Sequence, residues 1–297
     1  MKIYSVVVTY NGKKWYDKCI GSLINSNVPV DVVVVDNAST DGTVEYLSHN
    51  YPSLHLICNK NNLGFAKANN IGIQYAISNG ADYVFLLNQD AWVEVDTIKI
   101  LLKTFNDNEN VGIASPMHLN AEYTKLDKGF CNYLGSECIS DAYMKKLKPY
   151  YSVPFVNAAA WLMSKSCIYK VGGFDTCLFK HYGEDDNYAQ RVYYHGLKIM
   201  INTQCTICHD REYRNISPAQ SAFNINDTYF EERYYKGNIL LTYNSDLQIH
   251  KKRKELIMAY LGLHPKRIKR LKSELKFEMK VSYSRTINIK GGLAWLS

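Results

Sequence analysis

The first 115 residues alternate between short apolar runs and segments with helical spacing. Residues 3–9 (IYSVVVT), 32–35 (VVVV), 54–58 (LHLIC) and 82–87 (DYVFLL) read as strands. They are rich in β-branched or bulky apolar residues and too short for stable helices. Between them lie WYDKCIGSLINSN (15–27), STDGTVEYLSHN (39–50), residues 63–79 and DTIKILLKTFND (96–107), which read as helices. Ser39, Thr40 and Asp41 are the capping residues expected to open the second helix, and Gly80 is placed to terminate the third. VGIAS (111–115) supplies a further strand. Near-continuous apolar strands joined by helices predict an α/β fold with a mostly parallel central sheet flanked by helices on both faces.

The alternation fades after residue 120. Residues 129–151 read as a loop-rich excursion, residues 153–175 as a strand, a helix and a Gly-Gly turn, and residues 183–201 as a helix closed by Gly196 followed by a strand. From Phe230 onward the pattern is helical and increasingly basic. The expected organisation is a main domain over 1–245 and a basic, mostly helical extension over 246–297.

The strand ends carry the first chemical signal. Successive strands run into Thr9-Tyr10-Asn11, Asp36-Asn37, Asn59 to Asn62 and Asn88-Gln89-Asp90. In a parallel sheet all carboxyl ends lie along one edge, where ligands bind. Asn and Asp suit turns for local reasons, so each pair alone has an ordinary explanation; together they outline a site.

Composition narrows the class. Apolar residues make up 46% of the 297 and charged residues 21%, which is globular rather than disordered. No run reaches the roughly 18 apolar residues of a membrane span, and the start, MKIYSVVVTYNG, lacks the features of a signal peptide. A cytoplasmic protein is expected. Between Lys251 and Lys280 there are eleven Lys or Arg against three Glu, an excess of eight in a chain of net charge +7. The whole basic surplus therefore sits in the extension, which predicts contact with an anionic membrane surface, on the inner face of the cell membrane. No nucleic-acid-reading motif accompanies it. Eight cysteines are present, and CTICH (205–209) matches a haem-attachment pattern. Without an export signal, and without a second ligand pair for zinc, these thiols are expected to pack within a strand. No Gly-x-Gly-x-x-Gly follows the first strand, which argues against a dehydrogenase.

Five motifs in order, VVVVDNASTDGT, NLGFAKANN, VFLLNQDAW, VGGFD and GEDDNYAQR, resemble those of the family 2 glycosyltransferases. These are inverting enzymes of the GT-A fold that move sugars from nucleotide-diphosphate donors. The resemblance implies a nucleotide-binding half over about 1–115 and an acceptor half over about 116–245. It implies that Asp36, with Asn37, receives the N3–H of a pyrimidine base, and that Thr9 and Asn11 complete the base and ribose contacts. Asn88, Gln89 and Asp90 stand where the family has an Asp-x-Asp motif. Asp90 is then the expected ligand of Mg2+ or Mn2+, which stabilises the departing diphosphate, and Asn88 is a neutral replacement. That replacement resembles bacterial rhamnosyltransferase-like members and points to a UDP- or dTDP-sugar, with dTDP-rhamnose a specific candidate. His209 matches a position near the metal; a surface-loop histidine is its ordinary alternative.

Asp185 is the expected general base, ahead of Asp186, with Glu184 orienting the acceptor; all three also suit a helix N-terminus. Gly64 is expected where backbone approaches the nucleotide, with Lys67 and Asn70 on the following helix. Trp161 has two readings, stacking on an acceptor sugar or packing in the core. The expected reaction is transfer to a lipid-linked or polysaccharide acceptor in cell-surface glycan synthesis. The alternative is a non-catalytic nucleotide-sugar or glycan-binding module.

Overall fold

The computed structural model describes residues 1–179, 182–211 and 230–296. Strands β1 (Ile3–Thr9), β2 (Asp31–Asp36), β3 (His55–Cys58) and β4 (Tyr83–Asn88) form at the expected places. So do helices α1 (Tyr16–Ile24), α2 (Thr43–Asn50), α3 (Phe65–Ser78) and α4 (Thr97–Asp107), the last preceded by a short strand β5 (Ala91–Val93). After β6 (Val111–Leu119) come α5 (Ser136–Tyr143), β7 (Tyr150–Ser152), β8 (Ala160–Ser164), α6 (Lys165–Val171), α7 (Glu184–Tyr194) and β9 (Lys198–His209). The chain closes with α8 (Phe230–Gly237), α9 (Ser245–Leu261) and α10 (Pro265–Lys290).

The strands join one sheet in the order β3-β2-β1-β4-β8-β6-β9-β5, with β7 beside β9. The first four are parallel. β8 enters antiparallel between β4 and β6, and β6 pairs parallel with β9. β5 and β7 pair antiparallel with β9. The sheet is therefore mixed, its parallel character concentrated in the N-terminal half. Beyond β4 the strand–helix–strand alternation that builds parallel neighbours breaks down: β4 runs into β5, and β7 into β8, with no helix between them.

Successive strand residues face opposite sides of the sheet, and both sides are buried. Val6, Val33, Val35 and Leu86 face α3, α6 and α7 in one core layer. Val7, Val34, Phe85 and Leu87 face α1, α2 and α4 in the other. α3 lies so close to β1 that a Cβ at Gly72 would stand 2.3 Å from Val6 Cγ1, so glycine is required there. Gly80 ends α3 with φ +82°, as expected.

The capping of α2 differs from expectation. The helix opens at Thr43 after Gly42, and Asp41 Oδ1 accepts from the Thr43 amide at 3.2 Å. Ser39 and Thr40 instead clasp Asn11: its amide donates to Ser39 Oγ at 2.9 Å, and its Oδ1 accepts the Thr40 amide at 2.8 Å. Cys205 and Cys208 are buried thiols, packed in β9 as their strand setting suggests.

The segment after residue 245 is helical, and α10 is fastened to the core. Asp175, just after the Gly-Gly turn, accepts from Ser284 and, at 3.1 Å, from Asn288 Nδ2. Arg285 donates to the carbonyls of Lys236, Asn238 and Leu241. Leu296 packs into the first core layer.

Candidate active site

Because β1, β2 and β4 are parallel, their polar ends meet along one edge, with Thr9 opposite Asp36 and Val8 opposite Asn88. β8 runs the other way, so its beginning reaches the same edge. The N-terminus of α7 closes the far side. A cleft of about 850 Å³ opens between them. Of the expected site residues, Asn37, Gly64, Asn88, Gln89, Asp90, Glu184, Asp185 and Asp186 line it.

The nucleotide-side expectations divide. Asp36 is 2% exposed and is not itself among the lining residues, though Asn37 beside it is. Its Oδ1 accepts from Thr9 Oγ1 at 3.1 Å and its Oδ2 from the Ser39 amide at 3.1 Å. A carboxylate has about four lone-pair sites, so these bonds orient the group without filling it. Asn37 Oδ1, accepting from the Leu63 amide at 3.2 Å, fixes the loop that carries Gly64. Gln89 holds the Tyr10 backbone, its Oε1 accepting the amide at 2.9 Å.

Three expectations are corrected. Trp161 is fully buried; its ring stacks on Phe174 with centroids 6.1 Å apart, and Nε1 donates to the Val156 carbonyl. It packs the core and presents no face to a sugar. Asn70 is buried too, its amide donating to the carbonyls of Phe174 at 2.8 Å and Trp295 at 3.0 Å. It ties α3 to the chain's end. Lys67 is exposed on α3 and does not line the cleft.

At the acidic end, Asp90 is buried at the turn between β4 and β5. The β5–β9 pairing sets Ala91 opposite His209, which places His209 Nε2 3.5 Å from Asp90 Oδ1. His209 is 1% exposed, and neither of its ring nitrogens has a hydrogen-bond partner among the described residues. A buried imidazole with idle nitrogens beside a carboxylate fits a divalent cation. With metal–donor distances near 2.1 Å, two ligands of one ion stand roughly 3 Å apart. No group of three His, Cys, Asp or Glu able to hold a metal occurs among the described residues. That leaves Asp90 and His209 as donors, a number suited to an ion that takes its other oxygens from phosphate and water.

Charge makes the same point. Four carboxylates, Asp90 and Glu184 to Asp186, line the cleft, and Arg211 is the cationic lining residue among those described. Those of the four that are ionised repel an entering diphosphate unless a cation accompanies it. The acids already feel one another. Burial raises Glu184, and its neighbours Asp185 and Asp186 raise it further. Burial raises Asp185. Burial and then the Asp185 charge push Asp186 up to about 7. A helix N-terminus favours anions by at most about 2 kcal/mol; here desolvation and mutual repulsion outweigh it.

Glycine at the start of α7 is a steric necessity. Gly183 adopts φ +85°, and a Cβ there would stand 2.9 Å from the Tyr234 ring.

Sequence reasoning missed Arg211 and Tyr234. Arg211 follows β9 directly and grips buried Asp127, Nε donating to Oδ2 at 2.7 Å with a second bond from Nη2. Burial alone raises the Asp127 carboxyl, but Arg211 holds it below its ordinary value. The available signal was an arginine two residues beyond the histidine singled out as a metal ligand. Tyr234 lies on α8 within RYYKGN (233–238), a stretch similar to a post-core segment of the family that singles out no role for the tyrosine.

Comparison with known proteins agrees with this fold. The family model described as Glycosyl transferase family 2 matches residues 5–172. Over 208 residues the chain is 30% identical to the dTDP-rhamnosyl transferase RfbF of Shigella flexneri, covering 70% of this chain and 68% of that protein. The mannosyltransferase PcManGT from Pyrobaculum calidifontis, solved with GDP-Man and Mn2+, is 16% identical with a TM-score of 0.55, over 97% of this chain and 87% of that one. S. aureus TarS 1-349, solved with UDP, is 16% identical with a TM-score of 0.52, over 98% and 89%. At such identities the two structures speak for the fold.

Proposed function

Since the chain belongs to glycosyl transferase family 2 and is a glycosyltransferase of the GT-A fold, we propose that it moves a sugar, with inversion, from a dTDP- or UDP-sugar to a lipid-linked or polysaccharide acceptor. The observation that carries this reading is the meeting of Asp90 and Asp185, from opposite halves of the chain, in one cleft with Asn37. The likeness to a dTDP-rhamnosyl transferase makes dTDP-rhamnose the leading donor.

The base and ribose take the β1–β2 end, where Asp36, oriented by Thr9, offers acceptor capacity to an imide N–H. A carboxylate accepts and does not donate, which favours uracil or thymine. Asn88 meets the ribose or a phosphate through its amide. Asp90 and His209 hold the divalent cation, which when bound offsets diphosphate charge. Arg211, kept in place by Asp127, adds a second positive charge on that side. Asp185 takes the proton of the acceptor hydroxyl as its oxygen bonds to the anomeric carbon and the bond to the diphosphate breaks. Glu184, raised to about 8 by burial and then by the Asp185 charge, orients the acceptor by donating a hydrogen bond, and Asp186, at about 7, does so in its protonated form.

The test is a screen of dTDP-, UDP- and GDP-sugars with Mn2+, read first as a shift in melting temperature and then as released nucleotide. dTDP-rhamnose is expected to stabilise most and to be turned over. A larger shift with GDP-sugars removes the pyrimidine assignment of Asp36.

A further inference from the structure

The cleft leaves unused the feature that holds the chain's surplus charge. α9 and α10 pack together as a helical hairpin turning at residues 262–264. At its tip Ile257, Met258, Leu261 and Leu263 are 59 to 84% exposed. Scattered apolar residues on a surface are ordinary, but four gathered at one projecting turn mark an interaction surface. Cations flank them on both helices: Lys251, Arg253 and Lys254 before the turn, Lys266, Arg267 and Lys269 after it, all exposed. The pattern continues down α10. Lys272, Lys276 and Lys280, four residues apart and so on one helix face, line a groove of about 350 Å³ together with Leu275, Met279 and Tyr283. Lys272 Nζ stands 5.5 Å from the centre of the Tyr260 ring, which makes groove and tip one continuous surface.

We propose that this hairpin docks the enzyme on an anionic lipid bilayer, its apolar tip entering the boundary between headgroups and acyl chains while the surrounding cations meet lipid phosphates. Charge complementarity selects this occupant. A nucleic acid answers to the cations and leaves the aliphatic tip exposed; a bilayer satisfies both at once. Among the described residues no helix is long and apolar enough to cross a membrane, so the contact is interfacial. Docking has a geometric consequence for the cleft. Arg285 on α10 grips the backbone that follows α8, and Tyr234 of α8 lines the cleft. The hairpin therefore holds the cleft at a set place beside the bilayer, where a lipid-linked acceptor is found. That purpose rests on the acceptor proposed above; the docking itself does not.

The experiment is co-sedimentation of the full chain with phosphatidylcholine vesicles containing or lacking phosphatidylglycerol. The protein is expected to pellet with the anionic vesicles and to lose most of that binding in high salt or with phosphatidylcholine alone. At about fivefold per cation near an anionic surface, the variant K266Q/K269Q with Arg267→Gln loses on the order of a hundredfold in partitioning. Replacing Ile257, Leu261 and Leu263 by serine is expected to cost on the order of a hundredfold or more, given the area withdrawn from water. Wild-type protein left in the supernatant with anionic vesicles overturns the proposal, as does a tip variant that pellets like wild type. Light scattering without lipid is the control for another occupant: a dimer abolished by the serine variant assigns the tip to a second copy and also overturns it. Release of nucleotide from donor into water, which needs no membrane, is expected to be unchanged in both variants, so failed docking is distinct from failed chemistry.

Discussion

His209 and Asp90, distant in sequence, are brought within 3.5 Å by the pairing of β5 with β9, both side chains all but excluded from solvent. The separation is too long for a hydrogen bond and close to the spacing of two ligands on one ion. His209→Ala is therefore expected to weaken Mn2+ binding, titrated calorimetrically with nucleotide present, by about 10- to 100-fold. His209→Gln, which restores a donor oxygen, recovers part of it. Removing metal with EDTA abolishes transfer, and Mg2+ or Mn2+ restores it. Full activity in EDTA, or Mn2+ affinity untouched by His209→Ala, rejects the pair as the metal site.

Asp185→Asn removes the base while keeping shape. Transfer is expected to fall about 10²- to 10⁴-fold, with the melting shift produced by nucleotide retained. Turnover at the wild-type rate in this variant excludes Asp185 from proton transfer.

The three carboxyls at the start of α7 predict an unusual pH dependence. A carboxyl whose folded-state pKa is raised binds its proton more tightly folded than unfolded, so it makes stability fall as pH climbs between the two values. For Asp186 that window runs from the ordinary range near 4 to about 7. Asp186→Asn should therefore match wild type in melting temperature near pH 4 and exceed it by a few degrees near pH 8, measured by calorimetry without metal. The acid limb of kcat/KM is expected above the ordinary carboxylate range, since burial raises Asp185. A melting difference that does not change with pH rules out a raised Asp186 carboxyl.

Trp161 distinguishes core packing from sugar stacking. Trp161→Ala leaves a large cavity between Phe174 and Tyr188 and is expected to cost about 3–5 kcal/mol in chemical denaturation. Trp161→Phe retains much of the stability and leaves acceptor KM unchanged. A rise in acceptor KM without loss of stability contradicts the burial.

Much of this site is legible in sequence because β1, β2 and β4 are continuous apolar runs, and parallel strands of that kind force their polar ends onto one edge. Asn37, Asn88 and Asp90 follow from that rule alone. The acceptor side is not legible in the same way. β8 and β9 are legible as strands, but which strands they pair with, and in which direction, leaves no periodic signal, so the neighbours of Asp90 depend on tertiary pairing. Arg211 faces the cleft because Asp127, in the excursion after β6, grips it. Trp161 illustrates the opposite limit. An aromatic among Ala and Leu suits a wall or a core equally, and only its neighbours Phe174 and Tyr188 decide. Asn70 lies within a motif and serves packing, since its amide reaches two backbone carbonyls left over by turns.

The clasp of Asp175 with Ser284 and Asn288 has a practical corollary for anyone reengineering this protein. The basic terminus is wired into the scaffold, so it is no detachable handle. Ending the chain at 245 would strip partners from Asp175 and Asn70 together and yield an insoluble fragment in place of a free-standing catalyst. A graft that exchanges the anchor must cut near the hairpin turn and keep the final four helical turns.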